Sequence, residues 1–99
     1  MARVVLTERA LRDLERLFEY LAERDPARAA ARLASVRAAF TVLQDHPRLG
    51  RPAEDGRREL VLARGRDACV AKYRWWPDDD VVLVLAVRNA REAGFGEDD

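Results

Sequence analysis

Eight basic residues fall between Arg57 and Arg91, and the last of them close the stretch as Arg88-Asn89-Ala90-Arg91. A guanidinium fork matches the oxygens of carboxylate and phosphate alike, so such a cluster can grip an acidic protein or an anion, or stabilise a phosphorane. Cleaving RNA through its own 2′-hydroxyl asks for more: a base for that proton, charge on the phosphorane, and an acid for the leaving oxygen. Arginines supply only the charge. Asn89, in the middle of the closing run, cannot exchange a proton near neutral pH. His46 is the only histidine, and its place before Pro47 reads as a helix end or surface. Tyr73 falls by strand alternation opposite Lys72 and Arg74, which favours core packing. Glu54 and Glu59 lie in or beside a loop and read as solvated charges. No base–acid pair assembles from these residues, so binding without chemistry leads, with Arg66, Arg74 and Arg91 as the phosphate-stabilising set if the chain is a nuclease.

The candidate binding set is Arg51, Arg58, Arg66, Lys72, Arg74, Arg88, Asn89 and Arg91, with Arg64 as a further base in the same region. These can contact phosphate or an acidic surface, or pair with Glu59, Asp67 and the acids of the tail. Exposed pairs contribute only ~0–1 kcal/mol each, so stability alone gives little reason for the cluster. Every base except Lys72 is arginine, a bias that a GC-rich genome would also produce. Single-stranded nucleic acid would call for exposed aromatics as well; Trp75 and Trp76 are the candidates, and alternation puts one on each side of the sheet.

These residues must be positioned by a small scaffold. Arg3 to Leu6 fits a first strand, and Thr7 caps a helix with Glu8 in its first turn. Ala10, Leu14, Leu17 and Leu21 recur at helical spacing, while Arg9, Arg12, Asp13, Glu15, Arg16, Glu19 and Glu23 read as a solvated face. Asp25-Pro26 ends this helix and starts a second, making a hairpin. The second helix is rich in alanine, carries Leu33, Val36, Phe40 and Leu43 as its larger apolar row, and stops at His46-Pro47. Residues 47 to 56 hold two prolines and two glycines and read as loop. Strands are expected at Glu59 to Arg64 and Asp67 to Trp76, with Gly65 as a turn or bulge. In the longer one Val70, Lys72 and Arg74 share a face, and Cys69, Ala71, Tyr73 and Trp75 share the other. Pro77-Asp78-Asp79-Asp80 is a hairpin turn into Val81 to Val87, whose unbroken apolar run predicts a strand covered on both faces, by the helices on one and by a partner chain, or by Trp75, Trp76 and the C-terminal segment, on the other.

The whole is predicted as one α+β domain over residues 1–99, a mostly antiparallel sheet of about four strands with a helical hairpin on one face. A chain of 99 residues with 48% hydrophobic and 36% charged content folds rather than staying disordered, and buries roughly 60–65% of its unfolded surface. Net charge is zero, but Glu92, Glu97, Asp98 and Asp99 make 92–99 an acidic tail, expected to be frayed. The lone Cys69 offers neither a disulfide framework nor a metal site and reads as a small buried hydrophobe. No cofactor or metal is expected. The N-terminus has no apolar stretch of signal or membrane length, so a cytoplasmic location is expected.

Strand, helical hairpin, Gly-Arg loop and three-stranded antiparallel meander, in that order, resemble the RelE/ParE family of small bacterial toxins. Ala10-Leu11-Arg12-Asp13-Leu14 resembles its Ala-x-x-Asp-Leu start of the first helix, and Tyr20 lies where an aromatic often follows. Pro47-Arg48-Leu49-Gly50-Arg51 is similar to the Pro-x-x-Gly-Arg loop of the ParE branch. Arg58-Glu59-Leu60 resembles its Arg-x-Leu strand start, Tyr73-Arg74 its Tyr-Arg pair, and Val87-Arg88-Asn89-Ala90-Arg91 its closing Val-x-His-x-Arg, with Asn89 in place of histidine. The likeness spans residues 3–95. It implies the toxin of a type II pair, held in a hetero-oligomer by a ParD- or RelB-like antitoxin. The ParE branch implies DNA gyrase as target, and the RelE branch implies messenger RNA cleaved on the ribosome; a docking domain without toxicity is the third reading.

Overall fold

The computed structural model describes residues 1–63 and 65–91. Strand β1 (Arg3–Leu6) leads into helix α1 (Glu8–Arg24), and α2 (Pro26–Asp45) follows. A two-residue strand β2 (Arg51–Pro52) precedes β3 (Arg58–Ala63), β4 (Cys69–Trp76) and β5 (Val81–Asn89). The sheet runs β1-β5-β4-β3-β2. Only β1 is parallel to its neighbour, pairing Arg3 with Val81 through Leu6 with Val84; β5, β4, β3 and β2 form antiparallel pairs.

This is the α+β architecture expected, with one strand more. The segment 47–56 is not all loop: Arg51 and Pro52 pair with Glu59 and Arg58, and a 3-10 turn follows at Glu54–Gly56. Pro52 cannot donate to a ladder, so so short a strand at the sheet's edge is where it belongs. Asp67 is not in β4 either, because Gly65–Asp67 makes a second 3-10 turn. The expected strand end at Arg64 and the acidic tail 92–99 lie outside the described residues.

The helices cover one face. Thr7 accepts the Ala10 amide at 3.1 Å as N-cap, and Asp25 ends α1 and accepts the Arg28 amide at 3.2 Å to open α2, with Pro26 at the first helical position. Ala10, Leu14, Leu17 and Leu21 are the buried stripe of α1, as their spacing predicts, and each buried Leu contributes roughly 1.5–3 kcal/mol. Ala10, Leu14 and Leu17 meet Val36 and Leu43 of α2, Leu62 and Ala63 of β3, Cys69, Ala71 and Tyr73 of β4, and Val82, Val84 and Val87 of β5 in one core.

Those last three residues break the alternation of two, and the register of β5 against β4 explains why. Tyr73 pairs with Val84, but Lys72 pairs with Ala86, so Leu85 is an extra residue. Beyond this bulge the faces exchange: Val87 joins the helix-side core and Ala86 packs with Val70 on the opposite face. The bulged backbone is held by α1. Thr7 Oγ1 donates to Leu85 O at 3.0 Å, and the Val87 amide donates to Asp13 Oδ2 at 2.9 Å. Asp13, expected on a solvated face, is therefore a structural acceptor, its side chain only 14% exposed and ion-paired with Arg9 and Arg16 at 3.6 and 3.9 Å. The opposite face of β5 is not fully covered: Val81, Leu83 and Leu85 are half-buried.

Candidate target-binding face

The face turned away from the helices carries Val70, Lys72, Arg74 and Trp76 of β4 against Val81, Leu83, Ala86 and Arg88 of β5 and Glu59 and Val61 of β3, as the pairing requires. Toward the β1 edge, Arg3, Val5, Trp76, Asp79, Val81 and Leu83 line a recess of about 650 Å³. Trp76 is 46% exposed there, and the Arg74 guanidinium lies 5.3 Å from its ring centroid while Nη2 donates to Asp55 O. Trp75 points the other way, onto the core edge, with the Arg48 guanidinium 5.2 Å from its ring. The two tryptophans do take opposite sides.

The basic residues do not form one cluster. Arg66 and Arg91 are exposed at the end of the sheet where Ala90 donates its amide to Ala68 O at 2.9 Å. Arg88 belongs to that end too, donating Nη1 to Asn89 O and Ala90 O at 3.3 Å each. Asn89 accepts the Arg91 amide on Oδ1 at 3.0 Å, fixing the turn that leaves β5. Arg74 lies five residues up β4 from Cys69, the partner of Asn89, or roughly 16 Å at strand rise. Thus Arg66 and Arg91 stand together and Arg74 stands apart from them.

Lys72, on the same face as Arg74, is only 9% exposed, set between Glu59 on β3 and Ala86 on β5. Arg51 is exposed but donates Nη2 to Glu59 Oε1 at 2.9 Å. Arg58 is turned inward to the loop, donating Nη1 to Gly50 O at 2.8 Å and to Arg48 O at 3.3 Å. With Arg58 so engaged, the loop from Pro47 to Arg51 is a built support. The Tyr73 hydroxyl donates to Pro47 O and accepts the Gly50 amide, both at 2.8 Å, and burial pushes this phenol above its ordinary pKa, with the Gly50 bond and Arg58 opposing. Tyr73 is fully buried, as its alternation suggested. Gly50 is required by contact: a Cβ there would fall 2.7 Å from Tyr73 Cε1 and 2.8 Å from Glu59 O. Three motifs quoted from the sequence, Pro-x-x-Gly-Arg, Arg-x-Leu and Tyr-Arg, meet in this one knot.

Two structural features escaped the sequence reading. Asp13 is one, although the Ala-x-x-Asp-Leu spacing was its signal. Arg32 is the other, for it stands on the buried stripe of α2, four residues before Val36, with 5% exposure. His46 sits beside Pro47, Arg48, Leu49 and Trp75 around a recess of about 610 Å³, on the far side of Tyr73's strand from Arg74. Among the described residues no cluster of His, Cys, Asp and Glu could hold a metal, and no helix is long and apolar enough to cross a membrane.

Residues 4–94 match the family described as the ParE toxin of the type II toxin–antitoxin system parDE. The chain belongs to the RelE/ParE toxin superfamily of type II toxin–antitoxin systems. Two relatives from Caulobacter vibrioides carry RelE names: toxin RelE1 is 43% identical over 72 residues, covering 72% of this chain and 76% of its own, and toxin RelE3 is 33% identical over 92 residues, covering 93% and 98%. Among solved structures, the chromosomal ParDE system from P. aeruginosa matches with a TM-score of 0.73 at 22% identity, covering 90% of this chain and 96% of that one, which is a likeness of fold. The toxin–antitoxin complex RelBE2 from Mycobacterium tuberculosis matches with a TM-score of 0.60 at 27% identity, covering 89% and 96%.

Proposed function

We propose that this RelE/ParE-superfamily chain inhibits growth by binding, with DNA gyrase as the target, and that a cognate ParD- or RelB-like antitoxin neutralises it. One observation carries the preference for gripping over cutting. The side chains nearest the arginines that could have moved a proton are committed to structure: the Tyr73 hydroxyl is shared between Pro47 O and Gly50 N inside the core, and the place of the motif's histidine is held by Asn89, whose Oδ1 accepts the Arg91 amide. The exposed Trp76, which lines a recess with Arg3, Val5, Val81 and Leu83 and carries the Arg74 guanidinium against its ring, suits docking on a protein, since aromatic and arginine anchors dominate such interfaces.

A second reading keeps its place because both curated relatives are named RelE: an endoribonuclease acting on messenger RNA at the ribosome, with Arg66 and Arg91 beside Asn89 as the phosphate-facing end. Induction in a bacterial host, with and without the adjacent small open reading frame, separates the readings. Growth arrest with an SOS response, relieved by the neighbour, and linear DNA from purified gyrase support the binding toxin. Loss of messenger RNA before any SOS response supports the nuclease, and unimpaired growth defeats both.

A further inference from the structure

Strand β1 closes the sheet with an edge to which, among the described residues, no other strand pairs. The Arg3 amide donates to Asp80 O at 2.9 Å and the Thr7 amide to Val84 O at 3.1 Å, so the backbone groups of Arg3, Val5 and Thr7 turn to β5. Alternation sends the N–H and C=O of Val4 and Leu6 the other way, out along the edge. This open stretch has firm limits. Before Val4, the Ala2 amide is already on Gln44 O at 2.7 Å; after Leu6, Glu8 is in α1. Natural sheets blunt such edges with lysine, proline or a bulge, yet Val4-Val5-Leu6 carries none of these.

An edge with two open residues and two closed ends fits its own copy. In an antiparallel pair around a two-fold axis at Val5, Val4 lies opposite the partner's Leu6 and Leu6 opposite the partner's Val4, each pair exchanging both hydrogen bonds. The neighbouring symmetric registers fail. Val4 opposite itself sets Leu6 against Ala2, whose amide is spent, and Leu6 opposite itself sets Val4 against the helical Glu8.

Side chains agree with the register. Val4 and Leu6 are half-buried against the helix-side core, while Val5 lines the recess of Val81 and Leu83 on the open face, so apolar residues meet on both faces of the join. The exposed Arg3 lies opposite the partner's Thr7 and one residue from the partner's Glu8, a side chain 93% exposed in the single copy. The charges thus complement each other twice, once on each side of the axis.

We propose that two copies of this chain pair through β1, joining their sheets into one continuous sheet. Trp76 and Arg74, on β4, lie two strands in from the join, so the inference stands apart from the target proposed above.

Sedimentation equilibrium of the 99-residue chain tests it. The chain is expected to pass from monomer to dimer as concentration rises. Arg3→Glu or Glu8→Arg alone sets like charges together on both sides of the axis and should weaken the dimer by about tenfold. An equimolar mixture of these two variants should recover it, because each copy then meets the opposite charge at both contacts. Val5→Lys, which brings two ammonium groups together on the axis, should abolish the dimer while leaving the circular dichroism of the fold unchanged. A chain that is monomeric at every concentration, a dimer indifferent to all three variants, or a loss that the mixture fails to recover overturns the proposal. In the first of these cases, loss of antitoxin binding in Val5→Lys gives the edge to a strand of that partner instead.

Discussion

The Tyr73 hydroxyl and the Gly50 amide are 2.8 Å apart in a fully buried setting, and a strand residue thereby holds a loop 23 positions earlier in the chain. Tyr73→Phe leaves both Gly50 N–H and Pro47 O without their partner. It should destabilise the protein by about 1–3 kcal/mol, the cost of stranding buried polar groups, read from urea unfolding. Because burial raises the phenol above its ordinary pKa, its contribution is whole below pH ~10 and is lost as pH climbs through the raised folded value. The alkaline fall in stability should therefore be shallower in Tyr73→Phe than in the native chain.

Gly50→Ala should cost about 1–3 kcal/mol as overpacking, and Tyr73→Phe should not rescue it. The added Cβ meets the ring carbon and the Glu59 carbonyl as closely as the hydroxyl, so the clash survives removal of the oxygen. A double variant as stable as either single one would show that the loop yields where the geometry says it is held.

Asp13→Ala is expected to destabilise by about 1–3 kcal/mol, because the Val87 amide loses its acceptor beside the bulge. Asp13→Asn keeps an acceptor oxygen and gives up mainly the pairs with Arg9 and Arg16, so it should cost less. Thermal unfolding of the three proteins in one buffer checks the order, and equal losses for both variants would assign the effect to charge instead.

Acid should reveal the Arg28–Asp67 pair. The hydrogen bonds from Arg28 hold the Asp67 carboxyl below the usual carboxylate range, with burial opposing. A depressed folded pKa means the contribution is complete above the unfolded value of ~3.9 and disappears as pH falls through the folded one. The stability gap between native protein and Asp67→Asn should accordingly narrow below pH ~4, as measured by urea midpoints across pH. A gap that widens in acid would contradict the sign.

Arg74→Ala and Trp76→Ala should weaken growth inhibition while changing stability by no more than about 0.5 kcal/mol, since both side chains lie on the open face. Arg58→Ala should weaken inhibition through stability, because its guanidinium holds the Gly50 and Arg48 carbonyls. Induction assays paired with unfolding curves separate the two routes.

The helices were legible because their apolar spacing, Thr7 and Asp25 caps and Pro26 all carry local signals. Likewise β4's two faces followed from alternation, which put Tyr73 and Trp75 inward and Arg74 and Trp76 outward. The bulge at Leu85 was not legible, since an unbroken valine-leucine run has no period from which to read a slip. Nor was β2, whose two residues pair only because Glu59 and Arg58 happen to lie alongside. Arginines mislead most: by composition all look like surface, yet Arg58 is spent on loop carbonyls, Arg32 is buried on a helix stripe, and Arg74 is separated from Arg66 and Arg91. Residue type says what a guanidinium can hold, and only the pairing of strands says what it meets.

The parallel pairing of β1 with β5 sets a clock on synthesis. Arg3 to Leu6 find their partners only at Val81 to Val84, and the cap of α1 reaches Leu85, 78 residues on. At ribosomal rates of ~5–20 residues per second, roughly 4–16 s pass between making the first strand and making its neighbour. Through that interval the edge strand β1 waits without its neighbour β5 and the first helix without its seat, so the open face described above is complete only once nearly the whole chain has been made.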